Sequence, residues 1–121
     1  MPTGYQIKEQ SKAYYLTLQV VYWIDVFMQK SYKDIVIDSL RYCQQHKSLE
    51  IYAYVIMSNH LHLLVRSGNE DLSGTLRDFK KFTSKAIVDA IETGQESRKE
   101  WILRLFAHAA KRQNKHGTYQ L

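Results

Sequence analysis

Two apolar runs separated by a short polar break stand out in the hydrophobic pattern of this chain, at Ile51–Arg66 (IYAYVIMSNHLHLLVR). Apolar runs of four to eight residues, bounded by polar turn residues, are typical of strands. The pattern therefore predicts strands at Leu49–Met57 and His60–Arg66, joined by a two-residue loop at Ser58 and Asn59.

The rest of the chain alternates between the two periodicities that mark strands and helices. Ala13–Ile24 is rich in Tyr, Val and Leu, which predicts a strand, and its apolar density places that strand inside the sheet. A flexible lead-in is expected over residues 1–12. Ser31 followed by Asp34 is a capping-box pattern that indicates a helix start. The other predicted elements are helices at Ser31–Lys47, Asp71–Glu92 and about 98–113, and a final strand that begins near 118–121.

The predicted order of elements is β-α-β-β-α-α-β, without repeats or linkers. Strands and helices in this order are typical of an α+β domain in which helices cover an antiparallel sheet. We therefore predict a ferredoxin-like or RRM-like split βαβ fold. The length of 121 residues fits a single domain spanning 1–121.

Composition narrows the classes of function. Hydrophobic residues make up 45% of the chain, enough for a buried core, and the net charge of +5 favours an acidic partner such as nucleic acid. The single cysteine, Cys43, excludes an internal disulfide and a multi-cysteine zinc site. The polar N-terminal residues and the lack of a long apolar run predict no signal peptide and no membrane span. We expect a soluble cytoplasmic protein.

The histidine pair is the strongest candidate for chemistry. Because side chains alternate along a strand, His60 and His62 point to one face while Leu61 and Leu63 point to the other. Their Cβ atoms are then about 7 Å apart, so both imidazoles can reach one divalent ion. A third ligand must come from elsewhere in the chain. The pattern alone also fits two polar residues on a solvent-facing side of a sheet.

A second candidate is a basic stripe on the longest predicted helix. Arg77, Lys81 and Lys85 recur every four residues on one side of it, with Lys80 beside them. These residues are candidates for contacts with DNA phosphates, which position the nucleic acid without reading its sequence. An ordinary solvated helix face has the same appearance.

The nine residues MSNHLHLLV at Met57–Val65 closely resemble the HUH signature of IS200/IS605-type single-strand transposases, the Y1 or REP-associated tyrosine transposase group. The resemblance extends over essentially the whole chain and includes the segments YYLTLQVVYWIDVF, DSLRYC and LRDFKKFTSKAI. It implies a domain that binds hairpins in single-stranded DNA. It also implies that His60 and His62 coordinate Mg²⁺ or Mn²⁺ and are the catalytic metal ligands.

The resemblance further implies a tyrosine nucleophile on a C-terminal helix, which becomes joined to the 5′ phosphate. No such stretch is present before Leu121, and we expect that this chain does not cleave DNA on its own. Among the nine tyrosines, Tyr52 and Tyr54 are expected in the core, on the face opposite the histidines. None of the nine is a good substitute nucleophile.

Three functions therefore remain open from the sequence. The first is a transposase domain that contributes the metal and DNA sites, and the second is a non-catalytic module that binds single-stranded or hairpin DNA. The third is an unrelated ferredoxin-like protein that binds a metal or a small molecule. The open last strand could promote pairing between copies, so a homodimer is an alternative that the sequence leaves open.

Overall fold

The described residues form a sheet of three antiparallel strands, with the histidine-bearing strand in the middle. The computed structural model describes residues 7–20, 22 and 24–116. Within these residues the strands are β1 (Tyr14–Gln19), β2 (Leu49–Ile56) and β3 (His60–Ser67), in the spatial order β1-β3-β2. Among the described strands β1 pairs with β3 only and is an outer strand, whereas the sequence predicted an inner one. Its apolar residues Leu16 and Leu18 are buried in the same core as the inward residues of β3.

β1 is shorter than predicted, because the chain turns away from the sheet after Gln19. Tyr22 has a φ of 55°, which lies in the left-handed region and outside the range of an extended strand. A short 3₁₀ helix follows at Val26–Met28. Ile24, the last residue of the predicted strand, and Phe27 are buried in the core outside the strands.

Three helices of the described residues lie on one side of the sheet: the first packs on β2, the second on β3, and the third on the second helix. They are α1 (Lys30–His46), α2 (Leu72–Thr93) and α3 (Lys99–His116). Residues at helical spacing on α2 pack against the inward face of β3, and all belong to one core: Leu61, Leu63, Val65, Leu72, Leu76, Phe79, Ile87 and Ile91. The predicted α+β class, an antiparallel sheet covered by helices, is confirmed over the described residues. The strand predicted near 118–121 lies outside them.

The helix starts differ in how their backbone N–H groups are satisfied. The carboxylate of Asp71 accepts a hydrogen bond from the Gly74 N–H at 3.1 Å, which caps α2. The predicted capping box of α1 is wrong. That helix starts one residue earlier, with Gln29 as an N-cap whose side chain makes no capping bond, and Asp34 instead pairs with Lys30 at 2.8 Å.

The described part of the N-terminal lead-in, residues 7–12, makes hydrogen bonds to the domain. Gln10 Nε2 donates to Ser73 Oγ at 3.0 Å, and the Ser73 N–H donates to Gln10 Oε1 at 2.8 Å. Arg66 Nε donates to the Ser11 carbonyl at 2.9 Å. None of the helices in the described part of the chain has the length and apolar character that crossing a membrane requires.

Tyr52 and Tyr54 are exposed, so their predicted place in the core is wrong. Tyr54 does lie opposite Leu63, on the side of β2 away from the histidines. Because β2 is an outer strand of the described sheet, the helices leave that ring 47% exposed. The strand register shifts between Ile51 and Ala53, which takes Tyr52 out of regular alternation, and its hydroxyl donates to Glu50 at 3.0 Å.

Candidate functional site

β3 places His60 and His62 on the sheet face opposite the helices. Leu61, between the two histidines, and Leu63, after the second, are fully buried. Both histidines are partly exposed. Alternation along the strand thus separates the histidines from the core, as predicted. Across the sheet, Val55 of β2 and Thr17 of β1 lie opposite His62 in register.

The turn before the histidines is anchored on two sides. The Met57 N–H donates to the His60 carbonyl at 2.8 Å, which closes the predicted two-residue loop. The two loop carbonyls also accept bonds from the segment after β1: Val20 N–H to Asn59 and Phe27 N–H to Ser58, each at 2.9 Å. Because the loop is fixed from both ends, His60 begins its strand at a defined position.

The two imidazole rings converge. Their centroids are 4.9 Å apart and the rings meet edge to face at 84°. His60 Nδ1 lies 2.8 Å from Asn59 Oδ1. An amide oxygen only accepts, so this bond requires a proton on Nδ1 and leaves the lone pair of the neutral ring on Nε2.

His62 is contacted through the same ring nitrogen by two hydroxyl groups. Its Nδ1 lies 2.8 Å from Tyr15 Oη and 3.1 Å from Thr17 Oγ1. The Tyr15 ring also stacks on the imidazole, with centroids 5.5 Å apart and an interplanar angle of 12°. The sequence did not predict these two partners, because their contact with His62 depends on the register between β1 and β3.

The pair fits a divalent ion as two of its ligands. Imidazole nitrogen is a ligand for divalent transition ions such as Mn²⁺, and Mg²⁺ completes its octahedral shell with waters. Among the described residues, no third His, Cys, Asp or Glu groups with the two histidines. Gln19 lies opposite His60 in register on the same face, and its amide oxygen is a ligand type that Mg²⁺ and Mn²⁺ accept.

The face around the histidines exposes apolar side chains. Tyr15 is 65% exposed, and Val55, Met57 and Leu64 are also accessible. Arg66 lies further along β3 on the same face, and its charge is paired with Glu50 at 2.8 Å. The site is therefore a small polar centre within an apolar, open sheet surface.

The basic stripe lies elsewhere. Arg77, Lys81 and Lys85 are exposed on α2, which packs on the sheet face opposite the histidines. Lys85 pairs with Asp89 at 3.1 Å. Lys80 is half-buried, and desolvation lowers the pKa of its ammonium group to about 8. The structure thus places the predicted DNA-contacting residues on one element but does not bring them to the histidines.

Comparison with known proteins identifies the family. The model of the IS200-like transposases matches residues 9–116. A REP-associated tyrosine transposase, solved bound to a REP hairpin, has a TM-score of 0.57 and 19% sequence identity, with 68% of this chain aligned to 51% of that one. This chain thus corresponds to about half the length of that transposase.

A second solved structure has the same fold. It is a candidate transposase from Deinococcus radiodurans R1, with a TM-score of 0.56 and 15% identity over 88% of this chain and 93% of that one. None of the curated proteins matches this chain in sequence. Because the family model matches most of the chain, this protein belongs to the IS200-like transposase family.

Proposed function

We propose that this chain is the metal-binding and DNA-binding domain of a single-stranded DNA transposase that recognises hairpin DNA. The observation that supports this most strongly is the convergence of His60 and His62 on an open sheet face, at a ring separation of 4.9 Å. Family membership supports a transposase, and the similar structure that holds a REP hairpin supports hairpin DNA as the partner.

His60 and His62 are proposed to hold Mg²⁺ or Mn²⁺ through Nε2, since Nδ1 of each ring is bonded to a neighbouring side chain. A bound divalent ion supplies charge stabilisation at the scissile phosphate and at the leaving 3′ oxygen. In the transesterification, a tyrosine oxygen bonds to phosphorus and the bond to the 3′ oxygen breaks. The 5′ phosphate is left on the tyrosine, and the strand gains a free 3′-OH.

Gln19 is proposed as the third protein ligand, from β1. Directly opposite residues in an antiparallel pair have Cβ atoms about 5 Å apart, so the Gln19 amide is within reach of an ion held beside His60. A neutral amide and two imidazoles leave the full charge of the ion available for phosphate. This arrangement favours a phosphodiester as the further ligand.

The DNA is proposed to contact both sides of the domain. Unpaired bases suit the apolar face around Val55 and Met57, where planar rings can pack without hydrogen-bond readout. Phosphates of the hairpin stem suit the exposed cations of α2, Arg77, Lys81 and Lys85, with Lys80 as a partly buried member.

Binding of labelled oligonucleotides, followed by fluorescence anisotropy, tests this function. The probes are a hairpin with single-stranded flanks, an unstructured single strand of equal length, and a blunt duplex with the stem sequence. We expect the hairpin to bind at least about tenfold more tightly than the other two, or about 1.4 kcal/mol. Equal affinity for all three probes would mean that the protein binds DNA by charge without recognising the hairpin, and the proposal would be wrong.

A further inference from the structure

The environment of His62 includes a feature that metal binding alone does not require. Two hydroxyl groups from β1 approach the same nitrogen: Tyr15 Oη at 2.8 Å and Thr17 Oγ1 at 3.1 Å from Nδ1. Thr17 lies directly opposite His62 in the strand pairing, and Tyr15 lies two residues away on the same face. Both hydroxyls can accept a hydrogen bond, so either one satisfies an Nδ1–H.

A neutral imidazole has its proton on one nitrogen and its metal-binding lone pair on the other. The hydrogen bond made by one ring nitrogen therefore decides which nitrogen binds a metal ion. A hydroxyl can accept from Nδ1–H or donate to an unprotonated Nδ1, so one hydroxyl alone selects the tautomer weakly. Both β1 hydroxyls contact Nδ1, which leaves Nε2 as the nitrogen for a metal ion, and the stacked Tyr15 ring, tilted by only 12°, restricts rotation of the imidazole.

We propose that Tyr15 and Thr17 are positioning residues that hold His62 as the Nδ1–H tautomer, with Nε2 directed to the divalent ion. His60 has the corresponding arrangement through a different residue, since its Nδ1 is bonded to Asn59 Oδ1 at 2.8 Å. Both rings are then oriented with the same nitrogen towards the ion. This inference rests on the metal site of the proposed function. It gives β1 a role in orienting a metal ligand, which the His60-Leu61-His62 segment of β3 does not indicate by itself.

The redundancy of the two hydroxyls makes a specific prediction for a double-mutant cycle. Tyr15→Phe keeps the stacked ring and removes only the hydroxyl, and Thr17→Val keeps the shape of the side chain. Each single change leaves one hydroxyl, so Mn²⁺ affinity should fall only about two- to threefold. The double variant should lose about 10- to 100-fold, the range seen when partners of a metal-binding histidine are removed, and more than the product of the singles.

The tautomer is measured directly in the metal-free protein by long-range ¹H–¹⁵N NMR of the His62 ring at neutral pH. We expect mainly Nδ1–H in the unmodified protein and in each single variant, and a shift towards Nε2–H in the double variant. Tyr54→Phe is the matched control, because Tyr54 lies on the sheet face opposite the histidines and, like Tyr15, is exposed. It should change neither the tautomer nor Mn²⁺ affinity, and circular dichroism should show all variants folded.

The outcomes separate the inference from the function on which it rests. If the unmodified protein binds no Mn²⁺, the proposed metal site and the positioning role are both wrong. If it binds Mn²⁺ and the double variant keeps both the affinity and the Nδ1–H tautomer, only the positioning role is overturned. If affinity falls while the tautomer stays unchanged, the two residues act on the ion by another route, and the inference is again overturned.

Discussion

The imidazole rings of His60 and His62 lie nearly perpendicular to each other, with centroids 4.9 Å apart. Strand alternation puts both side chains on one face, and the anchored turn at Ser58 and Asn59 fixes where the strand begins. The convergence therefore depends on the backbone of β3 and on the hydrogen bonds that orient each ring. A site built on a central strand holds its ligands more accurately than a site on a loop.

Removing the exposed cations of α2 should weaken hairpin binding and its dependence on salt. In a variant with Arg77, Lys81 and Lys85 all changed to Gln, the slope of log K against log salt should fall by up to about 3 units, because about 0.9 counterion is released per duplex phosphate contact. A control with the same charge change on α1, at Lys30, Lys33 and Arg41, should keep the slope. Equal slopes in the two variants would count against a DNA role for α2.

Changes at Gln19 test the third ligand. Gln19→Ala removes the amide oxygen and should weaken Mn²⁺ binding by about tenfold, which corresponds to about 1.4 kcal/mol. Gln19→Glu replaces it with a carboxylate and should strengthen binding, since charged oxygen is the better ligand for Mn²⁺. Gln44, exposed on α1, provides the control Gln44→Ala. If the Ala and Glu variants both bind like the unmodified protein, Gln19 is not a ligand.

Tyr15 is adjacent to the histidines and is predicted not to act as the nucleophile. Its hydroxyl is engaged at Nδ1 of His62, whereas the metal and the phosphate are proposed at Nε2. The 121-residue chain with Mn²⁺ and hairpin DNA should therefore form no covalent adduct on a denaturing gel. An adduct that disappears in Tyr15→Phe would refute this assignment, and an adduct that persists would point to another tyrosine.

The ion pair between Asp25 and Arg98 should make stability depend on pH. It joins the segment after β1 to the start of α3 at 2.6 Å, and its hydrogen bond lowers the pKa of Asp25 below the usual 3.8. A lowered carboxyl pKa stabilises the fold above pH 3.8, and this contribution is lost as the pH falls through the lowered value. Because both side chains are partly exposed, the gain is about 1 kcal/mol or less.

The variant Asp25→Asn keeps the shape and removes the charge. Its melting temperature should lie below that of the unmodified protein at pH 7, and the two should approach each other in acid. The control Asp34→Asn removes a carboxylate that pairs within α1 only, and should have a smaller effect. If the difference in melting temperature between Asp25→Asn and the unmodified protein stays constant from neutral to acid pH, the ion pair with Arg98 is not its cause.

Much of the fold was predictable because it depends on local pattern. The strand alternation of His60 to Leu63 and the helical spacing of Leu72 to Ile91 both set which side chains are buried. Two of the errors occurred where the backbone leaves regular geometry. Tyr22 adopts a positive φ, and the register shift beside Tyr52 changes the direction of its side chain.

The candidate site was half predictable. The histidines follow from the sequence of one strand, but Tyr15 and Thr17 reach His62 only through the pairing of β1 with β3, which strand periodicity does not determine. The separation of the basic stripe from the histidines likewise depends on which sheet face the helices cover. Single-sequence patterns describe elements, whereas these relationships arise between elements.

The central claim, that His60 and His62 form a divalent metal site, is tested most directly by titrating Mn²⁺ into the protein and measuring free ion by electron paramagnetic resonance. We predict saturable binding that weakens by at least about tenfold in His60→Ala and in His62→Ala, or about 1.4 kcal/mol each. His46→Ala, a change on the exposed surface of α1, should leave it unchanged. Identical Mn²⁺ binding in all four proteins, or no saturable binding in the unmodified protein, would contradict the claim.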